Sequence, residues 1–288
     1  LVRGVTPELL YGQDSNRNFA LETHETPRGA LTVIENYNGQ LDRGWSAYLT
    51  LSSTEQNLTP DGQAKIDVNA SDLKQLHNQL TTALGAAEAN FIVAYRQFGA
   101  AGQNESGTAT KAGSLDVDLN KEAQNNIGTL LDLVGAKVAY KKDEQSPAEL
   151  VESPWQEQGA GGSQALLELL DVVTTQQDEQ LVGRVNVNAA SRVVLMSVPG
   201  MTSLIADQII NRRLASPDPV NNTHRHAIWL LAEGIVDLQE MKALDPFLNA
   251  GGDVYSGQVV GFFESAPGQA RLEIVLEKSP QTTRIVGW

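Results

Sequence analysis

Arg184–Arg213, RVNVNAASRVVLMSVPGMTSLIADQIINRR, is the stretch from which the fold is read, because its opening recurs upstream. In residues 65–76, KIDVNASDLKQL, the run Ile66-Asp67-Val68-Asn69-Ala70 lines up with Val185-Asn186-Val187-Asn188-Ala189. In both copies a short extended strip ends in Asn, and Ala and Ser then lead into an apolar-periodic helix. Asn and Ser ahead of such a helix are capping signals, since their side-chain oxygens can accept from its unpaired N–H groups. In the second copy the helix stops at Val198-Pro199-Gly200. A further apolar-periodic segment follows, with Leu204, Ile205, Ile209 and Ile210, and closes on Arg212-Arg213. Helix, Pro-Gly turn, helix reads as a helix-hairpin-helix (SAM-like) unit, and a doubled motif predicts a doubled supersecondary unit, near residues 65–98 and 184–213.

Outward from this pair the chain changes character. Trp45–Leu51 alternates polar and apolar side chains and predicts a strand. Thr59-Pro60-Asp61-Gly62 is a turn, and helical spacing runs from the first copy to Phe98. Residues 99–114 read as a low-complexity loop. LDVDLN at 115–120 echoes the strip before a helix expected to about Val134. Ala136–Lys141 fits a short strand, Gly159–Gly162 a loop, and Trp229–Leu244 has helical spacing. The tail is different: Val254–Phe263, Ala270–Glu277 and Thr283–Trp288 are three strand-like runs joined by SAPGQ and SPQT. In the middle run Leu272, Ile274 and Leu276 face one side, and Arg271, Glu273 and Glu277 the other, the pattern of a half-buried antiparallel meander. A sheet of this kind must bury its apolar face, and its cover must come from earlier in the chain. The fold class read from these signals is α+β, an antiparallel sheet interrupted by a large helical insertion. Residues 1–58 and 250–288 supply the sheet domain, with Trp45–Leu51 in the same sheet as the tail, and 59–249 the insertion.

Bulk composition narrows the function. The chain has 288 residues, a formal net charge of −14 and no cysteine. Its length suffices to bury roughly 70–75% of the unfolded surface. An acidic balance argues against binding nucleic acid or anionic membrane over the whole surface, because phosphate contacts need clustered Lys and Arg. Absence of cysteine removes disulfide, thiolate-metal and Cys-nucleophile chemistry. The sequence has no apolar run of 18 residues and no signal peptide. Its opening at Leu1 rather than Met reads as a fragment or a mature form.

ELLYGQDSNRN at the start, LDRGWSAYLTLSS, the two strip-and-helix units, ESPW at 152–155, WLLAEGIVDLQEMKAL, and finally GGDVYSGQVVGFFES with RIVGW follow one another in a family order. Over nearly its whole length the chain resembles the K-type minor pseudopilins of type II secretion systems. The resemblance implies a pilin-like sheet carrying an inserted helical domain and a structural, non-enzymatic role at the pseudopilus tip. It implies I- and J-type minor pseudopilins as partners, with secreted substrate as a further one, on the periplasmic face of the bacterial inner membrane. The family is anchored by an N-terminal hydrophobic helix that this sequence lacks, so no residue here takes that role.

Four local patterns are candidate sites. Asp14, Asn16, Asn18, Ala20, Glu22 and Glu25 nearly follow the calcium-loop pattern D-x-[DN]-x-[DN]-G-x5-E, with Ala20 lending a carbonyl. Phe19 stands where the loop ordinarily has Gly, and the competing reading is a polar turn. The resemblance adds that K-type pseudopilins include calcium binders. Second, the Pro199-Gly200 hairpin is also similar to those of DNA-uptake proteins of the competence class, and Arg184, Arg192, Arg212, Arg213 and Arg225 make its neighbourhood basic. Thr202, however, occupies the second glycine position of the phosphate-binding turn, so no nucleic-acid partner is expected. Third, His224-x-His226 could ligate a metal, but two His with no carboxylate nearby in sequence read more readily as a surface turn. Fourth, four His are present, but no G-x-S-x-G or other nucleophile context accompanies them, so no catalytic residue is assigned. Trp45, Trp155, Trp229 and Trp288 are expected as core or interface anchors.

Overall fold

The computed structural model describes residues 3–14, 17, 41–102, 108–142, 146–156, 160–213, 223–262, 269–279 and 282–287. They form a mixed α+β protein. In chain order the elements are α1 (Pro7–Tyr11), β1 (Thr54–Gln56), β2 (Ile66–Asp67), α2 (Leu73–Ala83), α3 (Ala86–Phe98) and β3 (Thr108–Lys111). Then come β4 (Lys137–Tyr140), β5 (Glu149–Glu152), α4 (Ala160–Val172), β6 (Val173–Thr174), β7 (Gln180–Val182), β8 (Val185–Asn186), α5 (Arg192–Leu195) and α6 (Ser203–Arg212). The series closes with α7 (Trp229–Ala232), α8 (Leu238–Leu244), β9 (Leu248–Asn249), β10 (Val254–Phe262), β11 (Gln269–Lys278) and β12 (Thr283–Gly287). Two compact units emerge. A split unit combines Leu1–Ser53, Asp253–Lys278 and Thr282–Trp288, and an inserted unit comprises Thr54–Gly252 with Ser279–Gln281.

The repeated strip reappears as repeated geometry within the inserted unit. In the first copy β2 pairs in parallel with β6, Ile66 opposite Val173; in the second β8 pairs in parallel with β9, Val185 opposite Leu248. Past each strip the next N–H continues the ladder, Val68 N to Thr174 O at 3.0 Å and Val187 N to Asn249 O at 2.9 Å. The chain then turns on its own side chain: Asp67 Oδ1 accepts from Asn69 N at 2.8 Å, and Asn186 Oδ1 from Asn188 N at 2.9 Å. Contrary to the sequence reading, neither Asn caps the helix. Asp72 caps α2 and Ser191 caps α5, while the two Asn amides reach distant backbone. Asn69 donates to Ile127 O at 3.0 Å and accepts from Ile127 N at 2.9 Å. Asn188 donates to His224 O at 2.8 Å and Ala250 O at 2.7 Å. An arginine braces each strip end. Arg96 donates to the Val68 and Ala70 carbonyls, and Arg213 to Ala190 O.

One continuous hydrophobic core runs through both copies. It includes Val68, Leu76, Leu80, Phe91, Trp155, Leu169, Val187, Leu195, Ile205, Ile209, Trp229 and Leu244. Phe91 meets Trp155 edge-on at 6.2 Å between ring centroids. Val68 and Val187 are buried at matching positions, as are Leu76 and Leu195. The helices therefore turn the same face inward in both copies.

Several expectations are corrected. Trp45–Leu51 is not a strand. Gly44, with φ of 54°, opens a 3-10 turn over Gly44–Ala47, closed by Tyr48 N to Trp45 O at 2.9 Å. The sheet of the tail is consequently three-stranded, β10-β11-β12, all antiparallel, with no strand from residues 45–51. The helix expected before Val134 shrinks to a 3-10 turn at Leu130–Leu133. Tertiary partners consume the backbone there: Gln124 N and Asn125 N both donate to Arg96 O, and Gln97 donates to the Asp118 and Lys121 carbonyls. The loop expected over 99–114 contains β3, which pairs in parallel with β5, and α4 begins at Ala160, inside the expected Gly159–Gly162 loop. Gly234, at φ of 67°, separates α7 from α8. Trp155 and Trp229 are buried in the core, Trp45 is exposed, and Trp288 lies outside the described residues.

Replacing Asn69 by Ala strands both backbone groups of Ile127. Asn69→Ala should therefore destabilise the protein by roughly 2–4 kcal/mol in urea unfolding, whereas Asn78→Ala, on the exposed side of α2, should stay within about 0.5 kcal/mol. Equal small effects would show that the amide does not hold the turn.

Candidate functional site

The hairpin of the second copy forms from α5, the Pro199-Gly200 turn and α6. Gly200 adopts φ of 83°, a conformation that strains any residue carrying a Cβ. Thr202, at the second glycine position of the phosphate-binding pattern, caps α6 instead, accepting from Ile205 N at 3.2 Å. The arginines that make this segment basic are engaged. Arg184 pairs with Glu55, Arg192 with Asp207 at 2.7 Å, and Arg225 with Asp171 at 2.8 Å. Arg212 donates to Glu233 O, the C-cap carbonyl of α7, at 2.8 Å, a favourable place for a cation. Arg213 serves the strip end. Val193 on α5, Met196 at its C-cap and Leu204 on α6 are exposed.

His224 and His226 both reach carboxylates; the segment is a turn, as the sequence reading expected, but His224 within it is buried rather than at the surface. His224 is buried, with Nε2 2.6 Å from Glu233 Oε1 and its ring stacked on Trp229 at 4.0 Å and an interplanar angle of 4°. Trp229 Nε1 in turn donates to Asn188 Oδ1 at 3.1 Å. His226 Nε2 lies 2.6 Å from Asp171 Oδ1, the same carboxylate that receives the Arg225 fork. The two histidines thus serve different carboxylates, and among the described residues no group of three or more His, Asp or Glu side chains converges as metal ligands. Asp171 and Glu233 gave no sequence signal for this role, since the pairing depends on a chain return of more than fifty residues in one case.

Polar and charged side chains join distant segments elsewhere as well. Asn249 Nδ2 donates to Glu55 Oε2 at 3.0 Å, beside the Arg184 ion pair. Lys65 Nζ donates to Leu170 O at 2.7 Å, and burial lowers its pKa despite the nearby Glu55 and Asp171 carboxylates. Asp245 accepts from Thr129 Oγ1 at 3.1 Å, and burial raises its pKa over the effect of that bond. Lys242 reaches Asp132 at 3.0 Å. Arranged this way, the ionisable groups cross-link the inserted unit.

Of the calcium-loop residues, Asp14 is described and buried. Its N–H points to Tyr11 O at 3.2 Å and Asp42 O at 3.3 Å, and its carbonyl accepts from Arg17 N at 3.2 Å. Asn16, Asn18, Ala20, Glu22 and Glu25 lie outside the described residues. Gly12 and Gly44 permit the close approach beside Asp14, where Gln13 N donates to Asp42 O at 2.7 Å.

In the split unit the β10-β11-β12 register gathers apolar side chains on one face. Tyr255 is opposite Leu276, Val259 opposite Leu272, and Leu276 opposite Ile285. Tyr255 is 54% exposed, Val259 64%, Leu272 49% and Ile285 57%. On the other face Arg284 Nε donates to Glu277 at 2.7 Å, and Gln258 and Arg271 both donate to Arg17 O. Among the described residues, none of the fully buried apolar side chains belongs to the split unit. No described helix is long and apolar enough to cross a membrane. Comparison with protein-family models, with curated proteins and with solved structures finds no match to this chain.

Burial alone would raise the Asp171 pKa, but hydrogen bonds and charge from His226 and Arg225 win and hold it at about 2, against an ordinary 3.8. A lowered carboxylate stabilises the fold above its ordinary pKa, and that contribution disappears as pH falls towards 2. Between pH 4 and pH 2 the wild type should lose on the order of 2 kcal/mol from this group. Asp171→Asn should unfold with a correspondingly shallower acid slope in urea titrations, and identical slopes would exclude the linkage.

Proposed function

We propose that this chain is a structural subunit that works by assembly, a K-type minor pseudopilin at the tip of a type II secretion pseudopilus. The observation that carries the reading is the split unit: residues from the two ends of the sequence combine around an insertion spanning Thr54–Gly252, and the sheet among them presents an apolar face to solvent. Contiguous exposed apolar surface of this kind marks an interaction site. The pilin-like character of the sheet and the helix-hairpin-helix identity of the two copies are part of the proposal, supported by the motif order of the sequence and the repeated strip geometry. Its place would be the periplasmic face of the bacterial inner membrane, its partners the I- and J-type minor pseudopilins, and secreted substrate a further contact. Its role is non-enzymatic; Asp171, His226 and Glu233 act as struts. An inserted unit spanning Thr54–Gly252 would obstruct addition of a further subunit, so the chain would cap the filament.

Mixing the chain with the soluble regions of I- and J-type minor pseudopilins should give a defined hetero-oligomer by light scattering. Val259→Glu with Leu272→Glu should abolish it and leave the far-UV circular dichroism unchanged. Persistent monomers of the unaltered chain at high micromolar concentration would contradict the proposal.

A DNA-binding hairpin is the second reading, favoured by the Pro199-Gly200 turn ahead of Arg212 and Arg213. The carboxylate and carbonyl partners of these arginines oppose it. Titration with duplex DNA across salt concentrations should show a log–log slope near zero, and a steep negative slope would restore it.

Calcium binding at Asp14, Asn16, Asn18, Ala20, Glu22 and Glu25 belongs to the same proposal. Calcium should raise the melting temperature, because a ligand confined to the native state stabilises it by mass action. Asp14→Ala should remove that rise; a rise that survives the substitution would place the ion elsewhere.

A further inference from the structure

We draw no further inference here: the strongest candidate, the exposed apolar ridge of Val193, Met196 and Leu204 on the Pro199-Gly200 hairpin, carries nothing because nothing in the structure shows what covers it.

Discussion

Two side-chain amides hold the inserted unit together. Strands of two residues cannot fix a chain direction by their own ladder, yet β2 and β8 each launch a helix into the core. Asn69 and Asn188 make this possible. The N–H of each donates to a side-chain oxygen two residues earlier, and each projects its amide into backbone from a distant segment. The arginine braces complete the arrangement by occupying carbonyls that the turn would otherwise leave unpaired. Buried backbone polar groups require partners, and in both copies side chains supply them where regular secondary structure does not.

Polar cross-links then join distant segments of the inserted unit. Thr129 with Asp245, Asp132 with Lys242, Asp171 with Arg225 and His226, and Glu55 with Arg184 and Asn249 join segments more than fifty residues apart in sequence. Removing one member of such a pair leaves a desolvated charge, which costs more than the pair itself contributes. The basic segment around the hairpin is engaged in the same way, its arginines held by carboxylates or backbone carbonyls within the protein.

The doubled strip was legible in the sequence because a repeat needs no knowledge of tertiary structure. The burial of Val68 and Val187 at matching positions emerged only with the structure. The function of the two Asn was not legible, since a capping residue and a tertiary bridge look alike until Ile127 and Ala250 are placed. Likewise the segment before Val134 has helical composition, but Arg96, Gln97 and Asn69 claim its backbone. Trp45–Leu51 shows how alternation misleads: Gly44 in a left-handed conformation starts a 3-10 turn, and the alternating residues are exposed. The tail, whose strands are longer and bounded by clear turns, was readable in both strand number and pairing order. The candidate site was the least legible part, as Asp171 and Glu233 meet His226 and His224 only through the fold.

The two units play different roles. The inserted unit holds the buried core and leaves Val193, Met196 and Leu204 exposed on its hairpin, whereas the three-stranded sheet exposes Tyr255, Val259, Leu272 and Ile285. Amide hydrogen exchange, recorded on the chain alone and with I- and J-type minor pseudopilins present, tests this division most directly. The account predicts new protection concentrated in residues 254–262, 269–278 and 283–287, with α5 and α6 unchanged. New protection over α5 and α6, with the sheet exchanging as before, would contradict it.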